Sequence, residues 1–140
     1  IKNINELRDR ICLLQDRIVK SSRGRHEELV LYPDAIRHVV RIARALRNPR
    51  GHFILVGSSG CGKRALTKLS SKIMGYELFD CIKPSTTQLS QFFEELKIVH
   101  QNAGVRGTGT VALIDDSKVL DDTCYEYVNQ ILTNGFVSLI

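Results

Sequence analysis

Gly57, Ser58, Ser59, Gly60, Cys61, Gly62 and Lys63 stand in the order GxxxxGK, directly after the apolar run Phe53, Ile54, Leu55, Val56. A loop that folds around an anion must turn successive backbone N–H groups inward, in dihedrals that glycine adopts without strain. If a helix begins at the lysine, its free N-terminal N–H groups and its dipole add positive potential at the same point. The lysine ammonium can then reach the outer phosphates, so the spacing predicts binding of a nucleoside phosphate, ATP or ADP. A glycine-rich turn without a ligand is the bland alternative, and the strand before it and the helical pattern after it both weigh against that.

The next position departs from the pattern. Arg64 stands where phosphate-loop NTPases place the Ser or Thr hydroxyl that binds Mg²⁺, and a guanidinium has no acceptor atom to offer a metal. Thr67 lies about one helical turn further on and cannot simply replace that hydroxyl. Binding is therefore expected, with Mg²⁺ held weakly or differently and hydrolysis slow or absent.

A second chemical element follows the apolar run Val111, Ala112, Leu113, Ile114, which ends in Asp115 and Asp116. In a parallel sheet the carboxyl ends of strands share one edge, so these carboxylates are expected beside the phosphate loop. Asp115 would hold the Mg²⁺, directly or through its water, and Asp116 would polarise the attacking water. A plain polar turn through Asp115, Asp116 and Ser117 is the alternative. Many ATPases carry Glu at the second position, and a misplacement of about 1 Å can cost on the order of a hundredfold in rate. Asp116 is one methylene shorter and points the same way as Arg64, toward slow turnover.

The elements that must position these groups can be read from periodicity. Residues 5–20 carry Leu7, Ile11, Leu14 and Ile18 on one stripe and predict a helix; 21–25 read as a linker. An extended piece, 29–32, meets Pro33, and 34–46 predict a helix with Ile36, Val39, Val40, Ala43 and Leu46 inward, ended by Asn48, Pro49, Arg50 and Gly51. Then come a strand at 53–56, a helix at about 63–74 with Leu66, Leu69 and Ile73 inward and Gly75 as its stop, and a short strand at 77–81. A helix capped by Thr86 or Thr87 runs to about Asn102 with Leu89, Phe92, Phe93, Leu96 and Val99 buried. A turn-rich 103–109 leads to a strand at 111–114, and 122–134 predict a last helix closed by Gly135. Strands alternating with helices imply a parallel sheet with right-handed crossovers.

The 140 residues, 43% hydrophobic and 25% charged, suit one globular domain or part of one, and no apolar run approaches the roughly 20 residues a membrane helix needs. The first residue is Ile and no signal-like start precedes it, so a piece of a longer chain is expected. Cys12, Cys61, Cys81 and Cys124 have no metal-type spacing, which fits a reducing interior such as the cytosol. The net charge of +5 is concentrated in residues 1–50, with twelve Lys/Arg against six Asp/Glu, while 51–140 hold eight against nine. Arg37, Arg41, Arg44 and Arg47 recur as on a solvated helix face or one facing an acidic neighbouring domain, and no aromatics interleave them to stack bases.

The order of these pieces resembles the dynein heavy chain family, specifically the fourth AAA+ module of its motor ring. The resemblance is carried by ELVLYPDAIRHVVRIARALRNPRGHFILVGSSGCGK (28–63), KIMGYELF (72–79) and VALIDDSKVLDDTCYEYVNQILTNG (111–135). NELRDRICLLQDRIV (5–19) is similar to the helix linking the third module to the fourth. The resemblance implies a three-layer αβα P-loop fold, incomplete here, with 1–28 as linking helix and linker and 29–140 as the first part of the large nucleotide-binding subdomain. By position, Leu29, Val30, Leu31 and the turn at 49–51 would border the adenine. Gly57 to Lys63, with Arg64 and Ala65, would hold the phosphates, and Asp115 and Asp116 would be the metal and water-activating pair. Axonemal members often lack the metal-binding hydroxyl in this module.

The implied role is a nucleotide-binding module that tunes the principal ATPase of a microtubule motor. Its partners would be the neighbouring modules, the microtubule through the parent's stalk, and dynein intermediate and light chains, in the cytoplasm, cytoskeleton or axoneme. A self-sufficient ATPase or nucleotide kinase would need a hydroxyl after Lys63 and a complete sheet. A nucleic-acid-associated AAA+ ATPase is the other alternative, suggested only by the basic front segment. If the sheet order resembles that of AAA+ modules, both neighbours of the phosphate-loop strand lie outside residues 1–140, and the chain is not expected to fold stably alone.

Overall fold

A computed structural model describes residues 4–21, 29–80, 89–115, 122–135 and 137. These residues divide into two compact units, Ile1–Gly75 and Tyr76–Ile140.

The first unit is three helices around one apolar core. Helix α1, Ile4–Ser21, places Ile11 in that core with Leu7 and Cys12 packed at its margin. Leu14, expected inward, is partly exposed, and Gln15 is buried in its place. The spacing 7, 11, 15 keeps one face over two turns, and the Gln15 Nε2 amide is accommodated there because it donates to the Leu29 carbonyl at 3.4 Å. Ile18 and the linker at 22–25 lie outside the described side chains.

Helix α2, Pro33–Arg47, starts with Pro at a position where no amide hydrogen is needed and buries Ala35, Ile36, Val39 and Ile42. The buried stripe is rotated from the expected one: Val40, Ala43 and Leu46 are only half-buried. The helix ends where Asn48 N donates back to the Ala45 carbonyl at 3.1 Å, after which Arg50 takes a left-handed φ of 54° and His52 N donates to Arg50 O at 2.8 Å. Gly51 is required sterically, since a Cβ there would overlap the Ala45 carbonyl.

Helix α3, Lys63–Ile73, packs Leu66 and Leu69 into the same core and stops at Gly75, φ 73°. Residues 53–56, expected as a strand, are extended with no ladder partner among the described residues. Their side chains still alternate as a strand's would: Phe53 and Leu55 pack on the core, while Ile54 is 85% and Val56 93% exposed. The physical reason for the difference is that strand pairing needs a partner edge, and among the described residues the paired strands lie in the other unit.

That second unit pairs β1, Glu77–Asp80, with β2, Thr110–Leu113, in parallel, in register from Glu77 opposite Thr110 to Asp80 opposite Leu113. Parallel strands need a crossover, supplied here by α4, Leu89–His100, which continues into one π-helical turn, Gln101–Val105. Helix α5, Asp122–Asn134, closes at Gly135 as expected. Phe92, Leu96 and Cys124 form the core of this unit, with Ile114, Tyr127, Val128 and Ile131 against it, and Phe93 meets Tyr127 edge-on at 4.6 Å. The proposed caps Thr86 and Thr87, and Cys81, lie outside the described residues.

Gly51→Ala should loosen the end of α2 by about 1–3 kcal/mol, because the carbonyl it meets is backbone and cannot swing aside. Faster tryptic cleavage at Arg47 and Arg50 in the full-length protein is the expected result; an unchanged cleavage rate would contradict the steric argument.

Candidate functional site

The loop 57–63 joins the extended segment to the first turn of α3, within the first unit. Two of its glycines are left-handed, Gly60 at φ 78° and Gly62 at φ 84°. A Cβ at either would meet nothing within 4 Å, so the requirement there is backbone conformation and not space. Gly62 serves as the N-cap of α3 without any side-chain cap bond, and Leu66 N donates to its carbonyl at 2.9 Å. The amides of the first turn have no intrahelical acceptor by construction of the helix. The turn therefore combines the positive end of a helix with an exposed, left-handed glycine loop.

Lys63 folds back over this loop. Its Nζ donates to the carbonyls of Gly57 at 2.6 Å and Ser58 at 2.9 Å and lies 3.9 Å from Cys61 Sγ. The ammonium thus sits at the loop's own mouth. Ser59 is exposed, and Arg64 and Ala65 are half-buried in the first turn of α3.

Thr67 is 0% exposed, and its hydroxyl donates to the Lys63 carbonyl at 3.0 Å. That commitment keeps it inside the helix packing. Ser70 and Ser71 repeat the arrangement, bonding to Leu66 O and Thr67 O at 2.8 Å each, and Ser70 Oγ also lies 3.4 Å from the Val39 carbonyl of α2. Sequence reading missed this buried hydroxyl seam. The available signal was three hydroxyl residues next to Leu66 and Leu69 at helical spacing, a pattern that lets polar side chains be buried by bonding back one turn.

Of the segment expected at the adenine, Leu31 is buried in the core, Leu29 packs at its margin and Val30 is 80% exposed. This segment and the phosphate-loop segment belong to one unit and share one core through Leu29, Phe53 and Leu55. Asp115 belongs to the other unit, half-buried just past β2, where the packing of Ile114 against α4 and α5 fixes the strand's end. Asp116 lies outside the described residues.

A family model described as "P-loop containing dynein motor region D4" matches residues 28–140. The chain belongs to this dynein family. Its relatives include dynein axonemal heavy chain 5 of Mus musculus, 36% identical over 138 residues, covering 99% of this chain and 3% of that protein. Dynein axonemal heavy chain 8 of Mus musculus is 33% identical over 132 residues, covering 94% of this chain and 3% of that one. The dynein alpha chain of the flagellar outer arm of Chlamydomonas reinhardtii is 36% identical over 108 residues, covering 77% and 2%. The chain thus spans about 3% of the length of the heavy chains it matches first. With this membership, the parallel β1–β2 pair and its crossover helix are part of an incomplete α/β P-loop fold of the AAA+ class.

Cys61 is exposed in the loop of this dynein-family chain, whereas Cys12 is half-buried and Cys124 buried. Alkylation of the native full-length protein, mapped by mass spectrometry, should modify Cys61 before Cys12 and Cys124. Earlier modification of Cys124 would contradict the packing of α5.

Proposed function

We propose that this chain is the first part of the fourth AAA+ module of a dynein heavy chain, holding ATP or ADP and tuning the motor's principal ATPase. The observation that carries the reading is the glycine loop at the N-terminus of α3, with Gly60 and Gly62 left-handed and Lys63 poised over it. Donor chemistry of this kind fits phosphate: backbone N–H groups and one ammonium, with no carboxylate inside the loop sequence to repel an anion. Leu29 to Leu31 and the turn at 49–51 would border the base, and Gly57 to Ala65 would line the phosphates. Residues 1–28 would be the linking helix and linker, and 29–140 the start of the large subdomain.

The fit to Mg²⁺ is poorer. Arg64 offers no oxygen and Thr67 has its hydroxyl engaged and buried, which leaves Asp115 as the proposed carboxylate for the metal and Asp116 as the proposed base. We therefore assign the site slow or absent hydrolysis, with the nucleotide acting as a bound regulator. Similarity to axonemal and flagellar heavy chains supports a place in the axonemal cytoskeleton. The neighbouring modules, the microtubule through the parent's stalk, and the intermediate and light chains are the proposed partners.

In the full-length protein, Lys63→Ala should weaken nucleotide at this site at least about a hundredfold, since it removes a charge-assisted donor to phosphate. Chelating Mg²⁺ should cost much less. Occupancy followed with a fluorescent nucleotide checks both, and equal loss in the two experiments would overturn the assignment.

Arg64→Thr combined with Asp116→Glu should raise single-site hydrolysis by on the order of tenfold or more, by restoring a metal hydroxyl and the reach of the base. Phosphate release under single-turnover conditions measures it. An unchanged rate with Mg²⁺ demonstrably bound would place the defect elsewhere.

A further inference from the structure

Arg64 is the second residue of α3, one place after Lys63. In helical phase it stands about 20° from Ser71 and about 60° from Thr67. Both of those are 0% exposed, while Lys68, on the other side of Arg64, is exposed. Arg64 therefore lies at the margin of the packed face, in the turn that meets the loop, and is itself half-buried. A margin position of this kind covers the apolar stem of a long cation and leaves its head to reach a neighbouring group. The first turn, Lys63 to Leu66, carries no side-chain oxygen, and no Asp or Glu occurs in residues 51–76. The charged groups of the segment that forms the loop and α3 are thus all basic.

A divalent cation beside bound phosphates neutralises their charge and bridges their oxygens. Here the helix offers it no hydroxyl: Arg64 has no acceptor atom, and the Thr67 hydroxyl is buried and committed to the Lys63 carbonyl at 3.0 Å. A guanidinium next to the same phosphates supplies positive charge itself, in a planar fork of donors that fits two phosphate oxygens at once. We propose that Arg64 takes over the counter-charge that Mg²⁺ supplies in other phosphate loops, so that this loop holds a nucleoside polyphosphate in its metal-free form. The proposal rests on the nucleotide reading of the loop and adds to it the form that is held and the residue that selects it. Metal-free nucleotide also lacks the ion that phosphoryl transfer draws on, in keeping with a site that binds and turns over slowly or not at all.

Cys61 provides a readout confined to this loop. It is exposed there, with Sγ 3.9 Å from Lys63 Nζ, so ADP held in the loop should slow its alkylation by uncharged iodoacetamide. In the full-length protein, the ADP concentration that halves Cys61 labelling is measured by mass spectrometry, once with excess Mg²⁺ and once with EDTA. The two values should agree within about threefold for the unaltered protein. Arg64→Met keeps the stem and removes the charge, and should raise the value about tenfold or more in EDTA and much less in Mg²⁺. Arg64→Lys, which restores a charge without the fork, should recover part of that loss. A merely structural role for Arg64 would shift both conditions alike. Loss of protection on adding EDTA to the unaltered protein, an equal loss in both conditions or no loss at all with Arg64→Met, or no recovery with Arg64→Lys would each overturn the proposal and leave the nucleotide reading standing. Absence of protection by ADP in either condition would remove that reading and the proposal with it.

Discussion

The loop 57–63 can present its backbone amides to one point only while Gly60 and Gly62 stay left-handed and α3 begins at Lys63. The apolar core of the first unit holds the start of α3 in place. The first turn of a helix leaves its amides without acceptors, which is what the proposed anion site draws on, and a helix start can be held in place only if the rest of the helix is anchored. Leu66 and Leu69 anchor α3 on Ile36, Val39 and Ile42 of α2, and Ile11 of α1 completes the same core. The small, fully buried Thr67, Ser70 and Ser71 satisfy their hydroxyls within α3, so they can face the packing without unpaired polar atoms.

The other boundary of the loop is held differently. Residues 53–56 are fixed by side chains on one face alone, Phe53 and Leu55, with no ladder partner among the described residues. A segment of this kind is half specified: alternation decides which face meets the core, and pairing would decide the rest. The exposed, apolar Ile54 and Val56 belong to a segment that is extended but not ladder-bonded. Burying backbone N–H and C=O groups without partners costs about 1–3 kcal/mol each, so an unpaired segment of this sort is stable at the surface and not inside.

Helix limits were legible where punctuation is strong. Pro33 and Gly75 mark the start of α2 and the end of α3 because each forbids or permits one backbone conformation, and Gly135 closes α5 at its expected place. The loop was legible for the same reason, since three glycines and a lysine at fixed spacing answer to a geometric demand. Phase was harder. Leu14 and Gln15 on α1, and Val39 and Val40 on α2, are adjacent residues about 100° apart, and which one faces inward depends on where the neighbouring helix lies. The hydroxyl seam on α3 was hidden because Thr and Ser score as polar, although back-bonding lets them be buried. Pairing of 53–56 was not readable either, because an apolar run reports burial and says nothing of which strand lies beside it.

Amide hydrogen exchange of the full-length protein, with and without ADP, tests the central claim that these backbone amides hold phosphate. The account predicts slower exchange on adding ADP in peptides spanning 57–66, read locally so that other nucleotide sites do not interfere. Unchanged exchange across 57–66 at saturating ADP, while loops elsewhere in the protein respond, would contradict it.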